Sequence, residues 1–509
     1  MRSLLLEAPA APLQTPLGRC VAAVLLTLMT FLLATGCIRV GPNYLPPAVQ
    51  APEQWQPQQD QFARGDGEVL QKWWRVFADP MLTQLISEAA RGNLDLKTAV
   101  ARVKEARARI GVVSGVYYPQ IDAVGEFSRQ HGSENSIAGI GMTADRNALG
   151  LEAGWEIDLF GRISRSVEAA TADFQAKQED LRDVQVVLLA EVALSYLLVR
   201  TLQARLAATE GNIASQRQVL GLTQTRFRYG LATDLDVAQA EDVLANSEAQ
   251  VPPLRSLLVQ AMNNIALLLG KAPGAAREML TKPEPLPSLL VEVAVGVPTD
   301  LLRQRPDIRR AERELAAQTA RIGVATADLY PKLSLLGTVG FEASNIGDLF
   351  NSSSHFYSLG PNIRWNVFAG GSIRSQIQVE DAKAQQALLQ YEQTVLDALR
   401  EAENAMTAYV QEQVRVRALE RSAAASRRTL SLALQLYKDG LRDFQNVLDA
   451  ERNVFEVDNR LAEARGNVAI NLVQLYKALG GGWRTDAASE PMAMHKEQQN
   501  QNRSGGQAS

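Results

Sequence analysis

The chain is poor in the residues from which active sites are usually built. Its 509 residues include two cysteines, Cys20 and Cys37, and three histidines, His131, His355 and His495. Both cysteines fall in the first forty residues, so the remainder can hold no thiolate zinc site, iron–sulfur cluster or disulfide framework. The histidines are isolated from one another, which leaves no spaced set for a His-based metal site or a Ser-His-Asp triad. No catalytic residue, metal site or cofactor is therefore expected, and the chain is not expected to be an enzyme. An excess of charge of one sign is also missing. Lys and Arg number 52 against 56 Asp and Glu, a net of −4, so no nucleic-acid partner is expected. Aromatic residues are only 6% of the chain, yet 46% is hydrophobic, which excludes a wholly disordered protein. The nine methionines are scattered, without the clusters that would hint at copper or silver.

Long apolar runs are scarce too. The one present, Cys20 to Gly36, is 17 uncharged residues preceded by Arg2 and Arg19, the pattern of a secretory signal. It ends in Ala34-Thr35-Gly36-Cys37, which resembles the bacterial lipobox, where the chain is cut before a cysteine that takes up lipid. Residues 1–36 are thus expected to be a lipoprotein signal peptide. Cys37 is the expected lipidation site, carrying a covalent diacylglycerol and an N-acyl chain, each buried CH₂ contributing about 0.8 kcal/mol. An uncleaved N-terminal anchor is the alternative. Residues 37–72 would form a lipid-anchored arm, and the polar stretch 484–509 has the composition of a disordered tail. No later segment approaches 18 consecutive apolar residues, so no helical membrane span is expected downstream.

What is present is one unit written twice. Ala108-Arg109-Ile110-Gly111-Val112 recurs as Ala320-Arg321-Ile322-Gly323-Val324, and Tyr118-Pro119 as Tyr330-Pro331, both at an offset of 212. Trp155, Gly161 and Ile163 recur as Trp365, Gly371 and Ile373, and Gly230-Leu231 as Gly440-Leu441, at an offset of 210. Leu269-Gly270 recurs as Leu479-Gly480. The first repeat is assigned to 73–285 and the second to 286–483. Each begins with a helix that must stop at its Tyr-Pro, because proline disfavours helix at the preceding residue. Strands follow at about 120–128 and 147–159, and again at about 332–341 and 357–368. The second strand alternates Leu149, Leu151, Ala153, Trp155 and Ile157 with Gly150, Glu152, Gly154, Glu156 and Asp158, one apolar face and one polar.

After each hairpin comes a long helix, at 162–229 and 372–439. The second has no Gly or Pro in 68 positions, about 100 Å of helix. Leu388, Val395, Ala402, Tyr409, Val416, Ala423, Leu430 and Tyr437 recur every seven residues, a coiled-coil period. Turns at Gly230 and Gly440 reverse the chain into return helices at 234–270 and 443–480, the first interrupted by Pro252-Pro253. Four membrane-type strands cannot close a barrel alone, and an open edge in lipid leaves backbone groups unsatisfied. Two or more copies are needed, unless the strands form a soluble hairpin packed on helices.

The residues also carry a resemblance. Cys37-Ile-Arg-Val-Gly41-Pro42-Asn43-Tyr44, Trp73-Trp74-Arg-Val-Phe77-Ala-Asp79-Pro80-Met-Leu82, Asn93-Leu94-Asp95-Leu96 and Pro298-Thr-Asp300-Leu301-Leu302-Arg303-Gln-Arg305-Pro306-Asp307-Ile308-Arg309 resemble outer-membrane efflux lipoproteins of the TolC superfamily, the OprM/NodT branch. The resemblance implies a mainly α fold with a membrane β-barrel: a homotrimer whose 12 strands cross the outer membrane above a long α-helical periplasmic barrel. It implies passive conduction of drugs or other toxic compounds. The implied partners are a periplasmic membrane-fusion adaptor, an inner-membrane RND-type transporter and outer-membrane lipid. A type I secretion duct or a cation-efflux duct of the same fold stays open, as does a lipid-anchored periplasmic coiled-coil scaffold.

The resemblance places control at the periplasmic end, where the helix pairs turn. It implies a gate of Asp449, Arg452 and Gln445. Asp449 would form a ring of three carboxylates favouring cations, and Arg452 would link protomers to hold the mouth shut. Gln445 stands where some relatives have Leu, so the constriction is expected to be polar. A plain helix cap is the alternative role for Asp449. Glu152, Glu156, Asp158 and Arg364 are expected to line the lumen, and Trp155 and Trp365 to sit either at the membrane interface or in packing at the barrel rim.

Overall fold

The computed structural model describes residues 38–48, 70–133, 135, 141, 143–287 and 304–483. Cys37, the signal segment 1–36 and the tail 484–509 lie outside the described residues. In chain order the elements are α1 (Pro80–Gly92), α2 (Leu94–Ser114), β1 (Gln120–His131), β2 (Thr143–Ile157), α3 (Arg162–Arg228), α4 (Asp234–Glu248), α5 (Val251–Leu268) and the short α6 (Arg277–Leu280). Then follow α7 (Pro306–Ala327), β3 (Lys332–Ala343), β4 (His355–Arg364), α8 (Ser372–Lys438) and α9 (Gln445–Ala478). The return helix expected at 234–270 is two helices. Pro252 and Pro253 fall in the first turn of α5, where proline's missing N–H costs nothing, and α4 ends before them.

Two compact units form, and each draws on both sequence repeats. Among the described residues, one is built from those within 38–45, 108–172 and 316–386, the other from those within 46–107, 173–315 and 387–483.

In the first unit the four strands make one antiparallel sheet in the order β1-β2-β3-β4. The register puts Ile121, Ala153, Gly337 and Leu359 in one row, and Ala123, Leu151, Val339 and Tyr357 in the next on the same face. That face is apolar and exposed: Leu151, Val339, Tyr357, Leu359 and Ile363 all lie open. The opposite face carries the row Asp122, Glu152, Thr338 and Ser358. On it Arg146 bridges Glu126 at 2.7 Å and Glu342 at 3.1 Å. The outer edges of β1 and β4 pair with no strand among the described residues. Pro361, lacking an N–H, is accommodated because β4 is an edge strand.

β2 starts four residues earlier than the alternation suggested. Arg129 grips Asp145 at 2.7 Å and His131 meets Thr143 at 2.9 Å, and these cross-strand pairs carry the ladder on. β2 also ends sooner, at Ile157. Asp158 is therefore no lumen residue: its carboxylate accepts the backbone N–H groups of Ile163 at 3.0 Å and Ser164 at 2.7 Å, capping α3. β4 likewise ends at Arg364, before Trp365 and Val367.

The N-terminal segment docks in this unit on one buried cation. Arg165, 2% exposed, donates to the carbonyls of Val40 at 3.2 Å and Gly41 at 3.3 Å, to Asn43 Oδ1 at 2.7 Å and to Glu168 at 2.9 Å. Gly41 has φ 84°, and a Cβ there would lie 2.5 Å from the Cα of Gly323.

The second unit holds the main core. Asp79 caps α1, accepting from Met81 N at 2.8 Å and Leu82 N at 3.0 Å. Its other oxygen accepts from the Tyr196 hydroxyl at 2.6 Å. Trp73 is fully buried and stacks on Tyr476 with ring centroids 5.6 Å apart. Leu82, Leu85, Leu197, Ile265 and Leu472 complete the cluster. The heptad row of α8 is the buried one: Val395, Ala402, Tyr409, Ala423 and Tyr437 are each under a tenth exposed. One helix, α3, does contain a stretch apolar enough to cross a membrane by composition, contrary to the expectation, but most of that stretch is buried within the chain. Its residues Leu188, Leu189, Val192, Leu197, Val199 and Leu202 pack into this core, which is why they are apolar.

The inter-repeat run closes the same unit. Arg305 donates to the Ala478 carbonyl at the end of α9 at 2.8 Å, to Glu401 at 2.9 Å and to Asp307. The indole of Trp483 lies under both Arg182 and Arg309, at 4.9 and 5.3 Å.

The helix-turn end as the candidate functional site

The two helix reversals are the same structure made twice. After α3, Gly230 has φ 72°, its N–H bonds the Phe227 carbonyl at 2.9 Å, and the N–H of Leu231 bonds Arg226 at 2.8 Å. After α8, Gly440 has φ 73°, its N–H bonds Tyr437 at 3.1 Å, and Leu441 bonds Leu436 at 2.9 Å. Both are Schellman caps, in which only glycine takes the left-handed angle without strain. Among the described residues nothing lies within 4 Å of where a Cβ would stand at either glycine, so the angle and not space demands the residue. Thr233 then starts α4 with a capping box, exchanging bonds with Asp236 at 3.2 and 2.8 Å.

The two turns are tied to each other. Arg226 Nη1 donates to the Lys438 carbonyl at 2.8 Å, and its guanidinium sits 4.7 Å from the Tyr437 ring centroid. Above them Val219, Ala240, Val243, Ala433, Tyr437, Phe444, Val447, Leu448 and Ala450 form a small core of their own. It holds α3, α4, α8 and α9 together within about two turns of their ends.

The three residues expected at the gate occupy the first two turns of α9. Gln445 Nε2 donates to Asp449 Oδ1 at 3.0 Å, and both side chains are exposed. The N-cap of α9 is Phe444, so Asp449 does not cap the helix. Arg452 lies 3.8 Å from Asp242 of α4, with both side chains more than half exposed. Within one chain Arg452 thus has an intramolecular partner, weak by its distance and exposure.

Sequence reasoning assigned no role at this end to Arg226, Tyr437, Asp242 or Glu451. Glu451 is the unexpected one. It lies beside exposed Arg452 yet is only 4% exposed itself, and one carboxylate oxygen has no hydrogen-bond partner among the described residues. Burial alone pushes its carboxyl up to about 7. A signal for it was present: at 451 a charge stands on the stripe that Val447, Leu448 and Val454 mark as buried. Among the described residues no group of His, Cys, Asp or Glu is arranged to hold a metal.

The family model described as "Outer membrane efflux protein" matches residues 85–271 and 297–481, one match on each repeat. The "Cation efflux system protein CusC" of Escherichia coli O6:H1 is 30% identical over 461 residues, covering 90% of this chain and 99% of that protein. The "Solvent efflux pump outer membrane protein SrpC" of Pseudomonas putida is 32% identical over 465 residues, covering 90% and 98%. Among solved structures, that of the outer-membrane channel OprN superposes with a TM-score of 0.82 at 37% identity, over 87% of this chain and 99% of that one.

Proposed function

We propose that this chain, which belongs to the outer membrane efflux protein family and serves as an outer-membrane channel of efflux, closes its duct as a homotrimer. The observation that carries the reading is the four-stranded sheet with an exposed apolar face and two edges that pair with no strand among the described residues. Strands of 10 to 15 residues suit a tilted bilayer crossing. In lipid each edge must meet a strand of another copy, since unpaired backbone groups cost several kcal/mol apiece there. Three copies make a barrel of about 12 strands, within the range of known membrane barrels. The row Asp122, Glu152, Thr338 and Ser358 then lines the lumen, and the apolar rows meet lipid.

Conduction is passive, so no residue is assigned a catalytic role. The helix-turn end forms the periplasmic mouth, where a periplasmic adaptor and an inner-membrane RND-type transporter deliver the cargo. Three copies of Asp449 ring the mouth and attract cations into it. CusC is named for cation efflux and SrpC for solvent efflux at nearly equal similarity to this chain. A shared duct with cargo chosen by the pump accounts for both, and small toxic compounds are the proposed class. Cys37, outside the described residues, is the proposed lipid anchor, bearing the diacylglycerol and N-acyl chains. Cross-linking of cysteines placed on the outer edges of β1 and β4 tests the assembly: a ladder ending at three chains supports it, and a monomer that resists cross-linking in membranes opposes it.

A further inference from the structure

Glu451 lies on the second turn of α9 with its side chain in the buried stripe between Val447, Leu448 and Val454. Its Oε1 has no hydrogen-bond partner among the described residues. The same is true of Oε1 of Gln216, which is 3% exposed on α3. The register between α3 and α9 brings the two to one level. Gly466 abuts Thr201, since a Cβ there would lie 2.0 Å from Thr201 Oγ1, and Thr209 Oγ1 bonds Asn459 Oδ1 at 3.3 Å. Counting along the antiparallel helices from these two rungs, Gln216 and Glu451 fall at one level. Each of these two buried oxygens is left without a donor, and of the two side chains only the carboxyl can gain one by taking up a proton.

The charged groups at this level are engaged or exposed. On α3, Arg217 pairs with Glu248 at 2.6 Å. On α4, Asp242 faces Arg452 at 3.8 Å. On α8, Arg427 pairs with Asp458 at 2.7 Å, Arg428 is exposed, and Tyr437 lies toward the turn. On α9 itself Asp449 accepts from Gln445 and Arg452 is exposed. The repeat counterpart of Glu451 is Glu241 on α4, and it is exposed. The duplicated position thus carries the same residue twice, and only one copy is sealed from water.

We infer that Glu451 is a protonation switch in the seam between α3 and α9: as the neutral acid it donates to Gln216 Oε1 and keeps the seam dry, and as the carboxylate it draws water in and favours an open mouth. The inference rests on reading the helix-turn end as the mouth of the channel. A hydrated Glu451 loses its proton near the ordinary carboxylate range, whereas the packed one holds it to about 7. The packed seam is therefore favoured at low pH and progressively less so up to that value, beyond which the preference is level.

The test is the open probability of the purified oligomer in planar bilayers between pH 5 and 8, for the native protein, Glu451→Gln and Glu241→Gln, alongside infrared difference spectra. The native protein and Glu241→Gln should open several-fold more often as pH rises to about 7 and then level off. Glu451→Gln, which keeps the shape and one donor, should stay mostly closed at every pH. A protonated-carboxyl band at pH 6 should disappear in Glu451→Gln. An identical pH response in Glu451→Gln, or no such band in the native protein, overturns the switch. If no protein conducts at any pH the channel reading itself fails, and the infrared band still decides whether Glu451 is protonated.

Discussion

The indole Nε1 of Trp155 donates to the Tyr117 carbonyl at 2.9 Å, tying the end of β2 to the last turn before the Tyr118-Pro119 switch. The second repeat makes the same bond, from Trp365 to the Leu329 carbonyl at 3.0 Å. Each tryptophan gives its one donor to a backbone carbonyl at a helix end. Trp155→Phe and Trp365→Phe each remove one such bond. Each should lower stability by about 0.5–1.5 kcal/mol, and the double variant by about the sum, in denaturant unfolding of the detergent-solubilised protein.

Arg165 concentrates four interactions on one buried guanidinium. Arg165→Ala removes them together and leaves the carbonyls of Val40 and Gly41 without that donor. Backbone amides of residues 38–44 should then lose hydrogen-exchange protection, while the sheet keeps its own. Gly41→Ala should do the same by another route, since its Cβ meets the Gly323 backbone.

The Arg452–Asp242 pair is exposed, so its worth to folding is below about 1 kcal/mol. Its effect is expected at the proposed mouth. Arg452→Asp places two like charges side by side across α4 and α9 and should raise the open probability with little change in melting temperature. Adding Asp242→Arg restores an attractive pair and should return the open probability toward the native value. A double variant as open as the single one would remove this pair from gating.

Glu451 also sets how stability depends on pH. The unfolded chain releases this proton near 4.5, while the folded chain holds it to about 7. Between those values the folded state binds more protons, so stability falls as pH rises and levels off above about 7. The loss is on the order of 3 kcal/mol for a shift of this size. Glu451→Gln should flatten this part of the profile and be the more stable protein at pH 8, which thermal unfolding across pH checks.

Much of this fold was legible because it is written in short periods. The alternation around Trp155 gave a strand with two unlike faces, the sevenfold row from Leu388 to Tyr437 is the buried side of α8, and Gly230 and Gly440 are left-handed caps. The duplication carried each observation to a second place. What stayed hidden depends on partners far away in sequence. Asp158 looked like one more polar residue of an alternating strand, and only the position of the first N–H groups of α3 makes it a cap. Arg226 reaches the carbonyl of Lys438, 212 residues on, which no local pattern encodes. The apolar stretch of α3 could have been core or membrane by composition, and its burial decides.

The most direct measurement is single-channel conductance of the purified oligomer in a planar bilayer, native against Asp449→Ala. Discrete openings in the native protein, with cation preference reduced in the variant, are the predicted result. Folded oligomers that insert and never conduct, or openings whose cation preference is untouched by the substitution, would contradict a duct whose mouth is ringed by Asp449.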